Sequence, residues 1–143
     1  MLKNVPKILS PELLKTLCEM GHGDEIVIAD GNFPSETFGK RVIRADGLGG
    51  TEILEAVMSV IPLDTYADPN FILMQLTPSD VGKVNPVIWE DYKRVAEKKD
   101  ENVRRGMLDR FAFYERAKNA FAVIATGETA IYANVILKKG VVV

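Results

Sequence analysis

A chain of 143 residues, 47% hydrophobic and 27% charged, is long enough to bury one core without disulfides or metals and too apolar to be disordered. A net charge of −2 gives no electrostatic case for nucleic acid or an anionic membrane as partner. Cys18 is the one cysteine, which excludes an internal disulfide and a cysteine-rich metal site.

Ser10-Pro11-Glu12 predicts a helix start: serine caps, proline presets the first turn, and glutamate sits at the positive end of the dipole. Leu13, Leu14, Leu17, Cys18 and Met20 share its apolar face, so the thiol is expected in the core, and Gly21 is a natural stop. A buried strand, Ile26 to Ala29, follows, and then an irregular loop, Gly31 to Ser35. Arg41 to Ala45 alternates like a short strand. Asp46-Gly47-Leu48-Gly49-Gly50 turns it into a helix from about Thr51 to Val60, closed by Pro62. That glycine-rich turn could hold a phosphate or carboxylate on its amides, but it lacks a dinucleotide fingerprint and a P-loop lysine, so a tight connection is the better reading.

Phe71 to Leu76 is a near-continuous apolar run, expected to be a central strand covered on both faces. Pro86 opens a helix with Ile88, Tyr92 and Val95 on one face, and Lys98 to Asn102 is a solvated charged stretch. Phe111 to Asn119 reads as helix, Phe121 to Ala125 as a buried strand, and Val135 to Lys138 as a final strand. Strands separated by helices predict a single α/β domain over residues 1–143, a three-layer sandwich of helices around a mixed, mostly parallel sheet. The last two strands are too close in sequence for a parallel crossover and should run antiparallel. No leader-like apolar segment opens the chain and no run reaches membrane-spanning length, so the cytoplasm is the expected compartment.

His22, the one histidine, lies in Gly21-His22-Gly23-Asp24 at the mouth of the first strand, where it is a candidate acid/base or an idle turn residue. No carboxylates stand at ligand spacing around it, so no metal is expected, and no nucleophile elbow is visible. The polar set that remains is His22, Asp24, Asp30, Arg110, Tyr132 and Asn134. Each could merely close a turn or pair on the surface. Together they suit a small polyhydroxylated ligand, because Asp, Asn and Arg make directional hydrogen bonds to hydroxyls while an aromatic ring covers an apolar sugar face.

Gly21 to Asp30, Asn32-Phe33-Pro34, Val42 to Gly47, Arg110 to Ala117, Thr126-Gly127-Glu128 and Tyr132-Ala133-Asn134 occur in order between Ile8 and Val141. In these blocks the chain resembles the L-fucose mutarotase and D-ribose pyranase family. Gly23 and the arginine-led Arg110-Phe111-Ala112-Phe113-Tyr114 block resemble the fucose branch, whereas Ala133 departs from that branch's glycine. The resemblance implies an isomerase without cofactor or metal that interconverts the anomers of L-fucose, with His22 as acid/base and Asp30, Arg110, Tyr132 and Asn134 on the sugar. A D-ribose pyranase-type isomerase and a non-catalytic sugar-binding protein are the alternatives.

Such a reaction takes a proton from the anomeric hydroxyl and gives one to the ring oxygen, and Tyr132 is the candidate for the proton opposite His22. Phe33 or Phe113 could meet the methyl of a 6-deoxy sugar. A straight strand would separate His22 from Asp30 by roughly 25 Å at ~3.3 Å per residue, too far for one monosaccharide. Either the chain bends or the two groups of one site come from different subunits, with Asp24 the nearer partner of His22 in its own chain. The resemblance, which implies a ring-shaped homo-oligomer with sites at subunit contacts, favours the second, most simply as a decamer.

Overall fold

The computed structural model describes residues 1–143. Its elements run α1 (Pro11–Glu19), β1 (Glu25–Ala29), α2 (Ser35–Phe38), β2 (Val42–Ala45), α3 (Gly50–Met58), β3 (Phe71–Met74), α4 (Ile88–Lys99), β4 (Arg105–Leu108), α5 (Arg110–Asn119), β5 (Ala122–Thr126) and β6 (Val135–Lys138). Helices α1 and α5 start where a capping side chain satisfies their free amides. Ser10 Oγ accepts from the Leu13 N–H at 3.1 Å, with Pro11 at the first position. The Asp109 carboxylate accepts from the Phe111 and Ala112 N–H groups and so opens α5 at Arg110.

The six strands form one sheet in the order β2-β5-β1-β6-β3-β4. Five run the same way and β6 runs against them, pairing antiparallel with β1 and β3. The last two strands are therefore antiparallel as expected, but β1 lies between them. β3 pairs with β6 and β4 rather than sitting at the centre, yet all four of its residues are buried.

The period-2 pleat divides the core. Ile26, Ile28, Phe71, Leu73, Ile124, Val135 and Leu137 face α1, α3 and α4 through Leu13, Leu17, Ile53, Val57, Ile88 and Tyr92. Val27, Ala29, Ile72, Val123 and Ile136 face α5 through Phe113 and Ala117, with Phe33 beside them. This is the three-layer sandwich anticipated from the pattern.

One expectation is corrected here, and one strand is added. Cys18 is exposed, because the buried stripe of α1 runs through Leu13, Thr16 and Leu17 and turns the next position outward. β4 had no strand signal: Arg105-Gly106-Met107-Leu108 lacks β-branched residues, and it is a strand because it pairs parallel with β3 at the sheet edge.

The glycine-rich turn before α3 is held by the protein's own carboxylates. Gly49 N–H donates to Glu52 Oε1 at 2.7 Å and Gly50 N–H to Glu128 Oε2 at 3.0 Å, so the amides have no call for an outside anion. No helix of the structure is long and apolar enough to cross a membrane.

Candidate active site

The ends of the sheet carry different chemistry. At the carboxyl ends of the parallel strands, Asp30 follows β1, and Asn134 precedes the reversed β6, which brings the two together. The Asp30 N–H donates to Asn134 Oδ1 at 2.8 Å and Asn134 Nδ2 donates back to Asp30 Oδ2 at 2.9 Å. The Asn32 N–H fills Asp30 Oδ1 at 3.0 Å. Both side chains are nearly inaccessible, at 5% and 3% exposure, so their geometry is fixed before any ligand arrives. Burial raises the Asp30 carboxyl above its ordinary value, against the opposing pull of the Asn32 amide and the Asn134 side chain.

These groups line a cavity of about 160 Å³ with Asn32, Phe33, Met74, Arg110, Tyr114, Ile131 and Tyr132. That is below the roughly 300–1,000 Å³ of drug-sized ligand sites. The α5 cap places Arg110 at the mouth, where its Nε donates to Tyr114 Oη at 2.9 Å. This bond and the attraction of the phenol raise the guanidinium above its ordinary value. Four of the sequence candidates, Asp30, Arg110, Tyr132 and Asn134, thus meet in one pocket. Phe33 joins them, whereas Phe113 is fully buried behind it, ring to ring at 5.9 Å. Ala133 is buried too and does not line the pocket, so its methyl meets the core. Of the pocket residues that sequence reasoning missed, Asn32, Met74, Ile131 and Tyr114, the last bonds to Arg110. Its signal was the four-residue spacing from Arg110, which puts both on one helix face.

His22 is not in this pocket. It precedes β1, at the opposite end of the sheet, and the six steps from Asp24 to Asp30 span about 20 Å of extended chain. Its Nε2 meets Asp64 Oδ1 at 3.0 Å; the histidine side chain is 47% exposed and the aspartate 5%. Asp24 is not its partner, because that carboxylate accepts from the Gly21 N–H at 2.7 Å and closes the turn. Burial of Asp64 pushes its carboxyl upward, but the Tyr66 N–H at 3.0 Å, His22 and Lys138 outweigh it and hold the group below its ordinary value. Tyr66, 84% exposed, lies beside the imidazole at 5.6 Å between ring centroids. Gly23 holds φ +84°, which explains glycine after the histidine. No three His, Cys, Asp or Glu side chains group as a metal site.

Comparison with known proteins shows the family and the fold. The model of the RbsD / FucU transport protein family matches residues 3–142. A fucose mutarotase of Bos taurus is 56% identical over 145 residues, covering 98% of this chain and 94% of that one. Among solved structures, FucU from Bifidobacterium longum superposes with a TM-score of 0.94 at 56% identity, covering 99% of this chain and 100% of that one. The fucose mutarotase of Streptococcus pneumoniae in complex with L-fucose gives 0.92 at 48% identity, with 99% and 100% covered. With nearly its whole length matched in sequence and fold, the chain belongs to the RbsD / FucU transport protein family.

Proposed function

We infer that the chain is a fucose mutarotase, an isomerase that interconverts the α and β anomers of L-fucose by opening and closing the pyranose ring. The observation that carries this reading is the buried reciprocal Asp30–Asn134 pair in a pocket of about 160 Å³, in a chain 56% identical to a fucose mutarotase. Asp30 and Asn134 present fixed acceptors and donors to sugar hydroxyls, Arg110 closes over the rim, and Phe33 and Met74 offer apolar contact to a deoxy carbon.

Ring opening needs a base at the anomeric hydroxyl and an acid at the ring oxygen. In our reading Tyr132 faces the first and His22 the second. A positioned acid/base group contributes about 10²- to 10⁴-fold, enough for a reaction that already runs in water, so the residues need no cofactor. Because His22 stands at the far end of its own sheet, the histidine of one site belongs to a second copy, and the enzyme is a homo-oligomer. We take it to be the decameric ring that the family resemblance implies, with Tyr66 and His22 of one copy set against the pocket mouth of another. The cytoplasm is the compartment we assign, where a lone exposed thiol such as Cys18 stays reduced.

The test is exchange NMR with L-fucose and D-ribose at equal concentration. Faster exchange of the fucose anomers is expected. A clear preference for ribose would move the chain to the pyranase side, and saturable binding without exchange would leave a sugar-binding protein.

A further inference from the structure

Tyr132 is held more firmly than a pocket wall requires. Its backbone sits at φ +61°, a region bulky side chains seldom adopt. Two donors from α4 hold the segment there: Trp89 Nε1–H donates to the Tyr132 carbonyl at 2.8 Å, and the Tyr92 hydroxyl donates to the Ala133 carbonyl at 3.1 Å. The phenol then reaches the loop after β3. Its hydroxyl donates to Asp80 Oδ2 at 2.5 Å, the short end of the range for a hydroxyl on a carboxylate. It accepts the Thr77 N–H at 3.3 Å and lies 3.1 Å from Thr77 Oγ1.

The direction of each bond follows. Tyr132 has one proton, and Asp80 takes it, so the Thr77 hydroxyl is the donor in their contact. Thr77 Oγ1 has a second partner, Ser79 Oγ at 3.1 Å, to which it can turn when a sugar hydroxyl arrives. Asp80 makes no other side-chain hydrogen bond, so its carboxylate serves Tyr132 alone.

We propose that Asp80 is the positioning residue of Tyr132 and the terminus of its proton relay; this rests on the reading of Tyr132 as the group at the anomeric hydroxyl. In ring opening the sugar O1–H bond breaks, its proton passes to Tyr132 Oη, and the original Tyr132 proton passes to the Asp80 carboxylate. The freed O1 electron pair becomes the second bond of the C1 carbonyl. The C1–O5 bond breaks with its pair going to O5, which takes the proton of His22. Closure on the other face of the aldehyde returns both protons, so the cycle ends with each group as it began. Without Asp80 the phenol would have to hold two protons or lose one to water.

The test combines Asp80→Asn, Asp80→Glu and Tyr132→Phe, with L-fucose exchange by NMR and L-fucose affinity by titration. Asp80→Asn keeps a hydrogen-bond acceptor but no base. It should slow exchange by about 10²-fold while affinity stays within about threefold of the parent, which also shows that the pocket is folded. Asp80→Glu should recover part of the rate. Adding Asp80→Asn to Tyr132→Phe should cost nothing further, since the aspartate acts through the phenol. Asp80→Asn at the parent rate beside an impaired Tyr132→Phe overturns the relay and leaves Tyr132 in its role. Equal loss in the Asn and Glu variants also overturns it. Tyr132→Phe at the parent rate overturns the reading of Tyr132 itself, and the relay with it.

Discussion

The Asp64 carboxylate, from the segment between α3 and β3, meets the His22 imidazole at 3.0 Å across the end of the sheet remote from the pocket. Asp64 is ionised in the folded protein, its carboxyl held below the usual range by the Tyr66 amide, His22 and Lys138 against the cost of burial. An ionised acceptor at Nε2 fixes that nitrogen as an N–H and leaves Nδ1 as the nitrogen that exchanges a proton with the sugar.

Asp64→Asn is therefore expected to slow anomer exchange at least about tenfold, and His22→Gln to abolish most of it, both with sugar affinity nearly unchanged. The loss belongs in turnover because the proton transfers occur only in the transition state. Exchange NMR and a sugar titration on each variant check this, and parent-rate exchange in His22→Gln would reduce the histidine to a turn residue.

Asp30 supplies a pH dependence of opposite sign to Asp64. Its carboxyl is raised above 3.8 by burial, so the folded state binds the proton more tightly than the unfolded chain. The stability from this linkage is fully present below pH 3.8 and is lost as pH rises through the folded value. Asp30→Asn removes the titration. The melting temperature of the variant minus that of the parent should therefore climb as pH is raised from about 4 to 7, while L-fucose binding is lost. A flat difference would show that the buried carboxyl titrates as it does unfolded.

The proposed sharing of a site between copies is tested by complementation. His22→Gln and Asp30→Asn preparations, each nearly inactive, should regain part of the activity when dissociated together and reassembled, because some contacts then hold both native groups. Mixing without dissociation is the control. A monomer fully active at nanomolar concentration contradicts the shared site.

Gly50 tests the frame that carries Tyr92. A Cβ there would lie 1.8 Å from the Tyr92 hydroxyl, which is fully buried and bonded to the Ala133 carbonyl. Helix propensity favours alanine by about 1 kcal/mol, but the forced displacement costs about 1–3 kcal/mol, so Gly50→Ala should lower the urea midpoint. Gly50→Ala with Tyr92→Phe should recover part of the loss.

Local signals were legible in the sequence. The Ser10-Pro11 cap, the helix opened after Pro86 and the last strand from Val135 to Lys138 stand where chemistry and periodicity placed them. Asp30, Arg110, Tyr132 and Asn134 converge in one pocket as a set. What the chain hid was decided by tertiary pairing. Asp64 is 42 residues from His22 and Asp80 is 52 from Tyr132, separations at which no spacing rule applies. The edge strand at Arg105 owes its form to β3, and the outward turn of Cys18 depends on which stripe of α1 the sheet accepts. The tight strand-to-helix turn was legible, but not that Glu128 holds it from 78 residues away.

Trp89 is the one tryptophan of the chain, and its indole N–H is bonded to the carbonyl of Tyr132. Any shift of that backbone on sugar entry changes the polarity and hydrogen bonding around the only strong natural fluorophore. The protein thus carries its own optical reporter of site occupancy, and emission maxima recorded against added monosaccharide would rank ligands without a label or a coupled assay.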